Sequence, residues 1–537
     1  MERERDSKTR VRRRLVAFGA VGAAAGIAGC GGGVSSAGAV QAASTAGLGV
    51  PGSGHIDPKD ASIGAVGDGV SDDTEALQAA IREAAATKRP IYLPQGVYLV
   101  SRTLRIESDG VQIIGLGGAL PGRTQPSFGA TIRYTGSGNA ITVGKGLSNA
   151  GVGSGAEFIS RVVLANLRIE VSDGAACVLV VYLASEAIFD GLSLFGNRGS
   201  GRALLRSYGG IANRFANCDF DGGGSTDVGN VAGFVEFGAD FMLGPQNAII
   251  TTTTVENCYF HYCQTAVRTS GRVTFDLATI FESSGIGLML APTGVTKVRS
   301  CWFENNQNAD IQFMQDTRLL MSDTEFVTNE RRLLFTGVGF KQIVMRDCVV
   351  YGTHPAPVMF DVSCGLDAAD PLAYGVISGC SFPANLTLGG YQRALSFDRL
   401  RFADMMVVPY RFLATSAGGS GTFVLLTENG APSYTMPVRG DVVGVSVQLN
   451  GNAVGGTWSL IVNHDSGGSA VAVADLTIDF TGARSVRQLA KHWQASGQIA
   501  AGAGLSVLLA LNGLTPAQSI SVEVLVAHGP DGRGLTR

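Results

Sequence analysis

Charge is what this chain has least of. Asp, Glu, Lys and Arg make up only 16% of its 537 residues, and 41 basic against 44 acidic side chains leave a formal net charge of −3. No basic stripe stands out beyond the extreme N-terminus, so the sequence calls for no nucleic-acid partner, whose phosphates a cationic face would have to neutralise. A membrane-spanning run is missing too: the N-terminal apolar stretch 15–29 is too short, and too rich in Gly and Ala, to cross a bilayer as a permanent helix. GxSxG is absent, with only low-complexity fragments such as Gly153-Ser154-Gly155 near it, which excludes a nucleophile elbow. The glycines at 115–118 sit in a turn between short strands, not at the start of a helix, which excludes a dinucleotide site. Cys258 and Cys263 are close in sequence but lack a second cysteine pair at ligand spacing, so no metal and no other cofactor is expected.

Glycine, by contrast, is plentiful at 74 residues, without a collagen-like period, which points to many turns between short strands. From about residue 160 one short pattern returns: NLRIEV at 166–171, NCDFDG at 217–222, NCYFHY at 257–262, TIFESS at 279–284, SCWFEN at 300–305, DTEFVT at 323–328, DCVVYG at 347–352 and GCSFPA at 379–384. Marked at Cys218, Cys258, Thr279, Cys301, Thr324, Cys348 and Cys380, the intervals are 40, 21, 22, 23, 24 and 32 residues. A repeat near 22 with two enlarged intervals describes coils of constant circumference that let loops out of some turns. Leucine-rich repeats share the period, but their Leu/Asn consensus is absent and nothing helical lies between the marks. Short strand-type runs separated by Gly, Asn and Ser lead instead to a parallel β-helix. Period-two alternation sends Cys301 and Phe303 inward and Trp302 and Glu304 outward. The cysteines then form part of an inward column and are expected as buried free thiols.

The front end fits an end cap. In GDGVSDDTEALQAAI, Asp72 is expected to cap a helix with Glu75 at the third helical position, and Ala76, Leu77, Ala80 and Ile81 follow at helical spacing. An amphipathic helix there would cover the open first coil, with Asp68, Asp72 and Asp73 as loop and cap residues. Together with IYLPQGVYLV at 91–100 and VQIIGLG at 111–117, this stretch resembles the N-terminal signature of the pectate-lyase-like superfamily, the branch that holds fungal β-1,3-glucanases and phage tailspike depolymerases. Ile63 stands where that signature usually has phenylalanine. The resemblance implies an all-β right-handed parallel β-helix, a polysaccharide partner, and a homotrimer as an assembly some relatives adopt.

The N-terminus resembles a bacterial lipoprotein signal. Arg12, Arg13 and Arg14 precede the apolar stretch, and Ile27-Ala28-Gly29-Cys30 fits a lipobox with Cys30 as the lipidated residue. The arginines and weak hydrophobicity also resemble a twin-arginine export signal, with the general secretory route open. The expected organisation is a signal at 1–30, a flexible tether at 31–55, a β-helix at 56–412 and a β-sandwich at 413–537. Export would place the protein at the cell envelope or cell surface, held to membrane lipid through Cys30.

Hydrolysis of a sugar polymer needs two carboxyl groups across one glycosidic bond. Glu282 and Glu304 occupy the same phase of adjacent coils and are the expected catalytic pair, with Asp276 beside them. Asp221, His261, Arg268, Trp302, Asn305 and Asp310 are candidate substrate contacts, and Asn306 and Asp316 neighbouring groups that could orient a sugar or a water. A second acidic group, Asp219, Asp221, Asp227, Glu236 and Asp240, is read as part of a long insertion. A polysaccharide lyase would instead need a base such as Arg268 or Arg272. The other alternative is a non-catalytic glycan-binding or structural surface protein. In the last domain Trp458, Trp493, His464 and His492 are candidates for a sugar surface, with core packing the competing role of the tryptophans.

Overall fold

The computed structural model describes residues 54–528, apart from 118–128, 147–157, 173, 197–201, 224–233, 238–249, 292–293, 315, 330–332 and further short breaks between 356 and 517. Cys30 and the expected signal therefore lie outside the described residues, as do Asp227, Asp240, Trp493 and His492.

The chain winds into a parallel β-helix whose coils each contribute three short strands. A first flank stacks Ile91–Leu93, Val163–Ala165, Thr253–Glu256, Val273–Asp276 and Val295–Arg299, among others, as far as Leu395–Asp398. The second flank carries Gly96–Val100, Ala130–Tyr134, Arg168–Val171, Ser193–Gly196, Asp219–Asp221, Tyr259–His261, Ile280–Glu282, Trp302–Glu304, Glu325–Val327 and Val349–Tyr351. A third runs from Leu104–Ile106 through Ala203–Ile211, Phe234–Phe237, Thr265–Thr269, Ile286–Leu290 and Ala309–Phe313. Asp219–Asp221 pairs directly with Tyr259–His261, so the interval of 40 residues is a single coil plus an insertion. A coil at Ser193–Gly196 also lies between the first two repeats, unmarked by either Asn or Cys.

Hydrophobic alternation fills the bore. Phe220, Phe260, Phe281, Phe303 and Phe326 stack face to face at centroid spacings of 4.6, 5.3, 4.6 and 5.1 Å. Beside them Cys218, Cys258, Thr279, Cys301, Thr324, Cys348 and Cys380 form the expected inward column, and the cysteines of that column are free and buried. The chain turns from first to second flank on one left-handed residue per coil, such as Asn166, Gly191, Asn217, Asn257, Ser300, Asp323 and Asp347. This is the residue that opens each sequence repeat except the one at 279–284, whose coil turns on two left-handed residues, Leu277 and Ala278. Asn tolerates that conformation and also bonds its neighbours: Asn257 Nδ2 donates to Asn217 Oδ1 at 2.8 Å, and Asn217 Nδ2 to Asp190 Oδ1 at 2.7 Å.

Helix α1 (Thr74–Thr87) buries Leu77, Ala80, Ile81 and Ala84 against the first coils. Its Gln78 side chain accepts from Arg105 N–H at 2.9 Å and donates to Arg105 C=O at 3.0 Å, satisfying the edge strand of the third flank. The expected capping box does not form. The helix starts one residue later, after Asp73, whose carboxylate turns back to the N–H groups of Val66 and Gly67. Asp72 is engaged instead by Thr74 and Ser101, and Glu75 pairs with Arg102.

Parallel stacking ends at Leu400–Phe402, which pairs antiparallel with Met405–Ala417. That strand joins Gln518–His528 and Gly440–Asn450 in one antiparallel sheet. Gly421–Thr427, Gly504–Asn512, Thr457–Asp465 and Ala470–Asp479 form a second. Phe412, Leu425, Val447, Val462, Val507 and Val522 share the core of this sandwich-type unit.

Candidate functional site

Inward positions of the second flank are taken by the phenylalanine stack, so the residues on either side of each phenylalanine point outward. Register puts these into two columns. One holds Arg168, Ser193, Asp219, Tyr259, Ile280, Trp302, Glu325 and Val349; the other holds Glu170, Phe195, Asp221, His261, Glu282, Glu304, Val327 and Tyr351. With about 4.8 Å between strands, the row from Arg168 to Val349 is roughly 34 Å long, enough for several sugar units of a polymer lying along the helix axis.

The acids of this row are tied to one another through aromatic and imidazole groups. His261 Nε2 lies 3.0 Å from Asp219 Oδ1 and 4.0 Å from Asp221 Oδ2. Burial alone would pull the His261 imidazole down, but the bond to Asp219 and the charges of Asp219, Asp221 and Glu282 together raise its pKa. Burial raises the Asp221 carboxyl, and His261 offsets part of that rise. The His261 ring stacks on Tyr259 at 4.2 Å and meets Tyr262 at 4.8 Å. Its Nδ1 is buried and without a hydrogen-bond partner among the described residues. Tyr259 in turn donates its hydroxyl to Glu282.

Further along, Trp302 Nε1 donates to Glu304 Oε2 at 3.0 Å, and Asn305 Nδ2 lies 3.5 Å from Glu304 Oε1. Tyr351 donates to Glu325 at 2.8 Å, and its ring meets Trp302 edge-on at 5.9 Å. Although they point outward, His261 is 2% and Trp302 6% exposed, so neighbouring groups cover both side chains.

Glu282, Glu304, Asp221, His261, Trp302 and Asn305 are thus brought together on one face. Three other candidates have different surroundings. Asp276 ends a first-flank strand and binds Arg299. Arg268 stands on the third flank, in register with Glu236, with Arg206 one coil earlier. Asp310 is also on the third flank, held in the wall by Asn306 Nδ2 at 2.9 Å. Asp316, outside these three, pairs with Lys341 at 3.1 Å. Asp219 and Asp221 precede the insertion and belong to a strand of the coil, a correction to their reading as loop residues. Tyr259, Glu325 and Tyr351 were missed as site residues. The signal was available, since each flanks an inward position of the repeat, but only register shows which acid each aromatic meets.

Two family models agree with this architecture. Residues 61–289 match a family model described as rhamnogalacturonase A/epimerase, pectate lyase-like, and residues 238–370 match one described as a right-handed β-helix region. Among solved structures, ORF18 of Geobacillus virus E2 is 14% identical, with 79% of this chain and 76% of that chain covered and a TM-score of 0.41. The tailspike gp49 of Acinetobacter baumannii bacteriophage Fri1, a capsular polysaccharide depolymerase, is 10% identical over 86% and 84%, with a TM-score of 0.36. PfbA, a surface adhesin of Streptococcus pneumoniae, is 13% identical over 70% and 98%, with a TM-score of 0.35. One curated protein, the non-secreted LysM effector LysM19 of Penicillium expansum, is 42% identical over 64 residues, which are 12% of this chain and 5% of that protein.

Proposed function

We propose that this chain, a pectate-lyase-like right-handed β-helix protein, holds an extracellular polysaccharide along the outer face of its second flank. The observation that carries the reading is the pair of columns in which Tyr259, Trp302 and Tyr351 stand beside His261, Glu282, Glu304 and Glu325 over successive coils, with Ile280 and Val327 among them. Aromatic planes meet the C–H faces of pyranose rings, and adjacent carboxylates accept their hydroxyl protons. The tyrosine and tryptophan donors hold the acids in fixed directions, which favours selective retention of a glycan.

A second reading, cleavage of the held polymer, is favoured by one specific feature. Glu282 and Glu304 are direct partners across adjacent coils, the arrangement from which one acid could protonate a leaving oxygen while the other serves as base or nucleophile. The N-terminal signal belongs to the same proposal: export followed by lipid attachment at Cys30 would put the flank in reach of an external polymer.

Binding and cleavage separate in one experiment. The full chain is run in native gels cast with individual polysaccharides, and reducing ends released from the same polymers are measured, with absorbance near 235 nm following lyase products. Trp302→Ala is expected to weaken retention at least ~10-fold, a loss of about 1.4 kcal/mol. Under the cleavage reading, Glu282→Gln and Glu304→Gln each abolish reducing-end release while retention persists. Retention of no polysaccharide, or retention untouched by Trp302→Ala, would remove the proposed binding face.

A further inference from the structure

From the charge of that same row, and resting on the binding reading above, we infer that the glycan accepted by the second flank carries no carboxylates: it is a neutral or amino-bearing polymer and not a polyuronate. From Asp219 to Tyr351 the outward positions hold five carboxylates, Asp219, Asp221, Glu282, Glu304 and Glu325. Among the described residues of these strands the one cationic group that faces them is His261, and Asp219 and Asp221 already engage it.

Of the arginines on this flank, Arg133 and Arg168 lie earlier and are committed, while Arg401 lies beyond the acids, two coils past Val349 in the same outward column. Arg133 and Arg168 both bond Glu170, at 2.6 and 3.2 Å, and the Arg168 guanidinium lies 4.7 Å over the Phe195 ring. Arg268 belongs to the third flank, and Arg214 and Arg299, nearer in sequence to the acids, stand on the first flank paired with Glu256 and Asp276. Residues 222–253, which follow Asp221, add none: they contain neither Lys nor Arg, while Asp227 and Asp240 are acidic and Glu236 stands on the third flank. Arg331 and Arg332 lie outside the described residues.

A polyuronate laid along this row would set one carboxylate per sugar against a line of buried and half-buried carboxylates, where water screens poorly. Neutral hydroxyls meet the opposite situation. The half-buried Glu282, Glu304 and Glu325 offer acceptor oxygens, and the turns that border the row carry the uncharged, half-buried Ser283 and Asn305. Three aromatic rings beside the acids mark this as a sugar face and not merely an acidic patch.

The test uses the full chain in native affinity gels at pH 7 and about 0.15 M salt. Polygalacturonate and alginate are each compared with their carboxyl-reduced forms, beside neutral glucans, galactans and mannans. The expected result is retention by at least one carboxylate-free polymer at least ~10-fold stronger than by any polyuronate, little changed when the salt is raised several-fold. Preferential retention of a polyuronate over its reduced form overturns the inference while leaving the binding reading intact. Retention of no polymer at all removes both.

Discussion

Asp310 has a charge that its surroundings do not accommodate. Burial pushes its carboxyl up to about 7, and the Asn306 amide offsets only part of that rise. The folded form holds this proton more tightly than the unfolded chain, so the contribution to stability is full below about 3.9 and is lost as the pH rises through about 7. Thermal midpoints of the wild type should therefore fall between pH 5 and pH 8 by more than those of Asp310→Asn, measured by calorimetry across that range. A flat wild-type profile parallel to that of Asp310→Asn would refute the argument. Asp72 works in the other direction. Bonds from Ser101 and Thr74 hold its carboxyl down at about 2, so it stabilises the capped end above the ordinary range and loses that contribution as the pH falls towards 2. From the sequence, Asp72 reads as a cap residue and Asp310 as a candidate substrate contact. Which of them is exposed, and which walled in, depends on whether the neighbouring coil supplies donors or merely excludes water.

At the scale of the element, the unit is the coil, and two of its parts are open to direct test. Phe281 stacks between Phe260 and Phe303 and contacts Phe275 edge-on. Phe281→Ala should cost about 3–5 kcal/mol, by lost transfer energy and the cavity left between fixed neighbours, seen as an earlier midpoint in denaturant. At the corner, Asn257 is held at φ 49° and bonds Asn217. Asn257→Gly keeps the conformation and loses the bond, which should cost about 1 kcal/mol. Asn257→Val loses both and should cost about 2–3 kcal/mol. Equal losses in the two variants would show that the left-handed turn contributes nothing. The recurring Asn, Ser or Asp, the buried Cys or Thr and the Phe were all legible, because each coil repeats the same three demands. The coil at Ser193–Gly196 was not, since Gly191 and Leu192 meet those demands with other residues.

The whole molecule combines an N-terminal segment outside the described residues, a capped β-helix and an antiparallel C-terminal unit. Because Cys30 lies in the first of these, its role is tested on the cell. Wild-type protein should sediment with membranes and incorporate labelled fatty acid, while Cys30→Ser should do neither. Equal membrane association of the two would exclude this anchor. Repetition is what the sequence by itself determined: a period near 22, the inward and outward alternation, the helix at the open end and the pairing of Glu282 with Glu304 at equal phase. These follow from local chemistry, because strand alternation and turn preference act over a few residues. Only the tertiary structure decided which chemical groups share a face. Asp219, Tyr259 and Tyr351 join the acids of the second flank, and Arg268, Asp276 and Asp310 leave them. Those assignments depend on how many residues each turn takes before the next strand begins, and a change of one residue there moves a side chain to the other side of the wall.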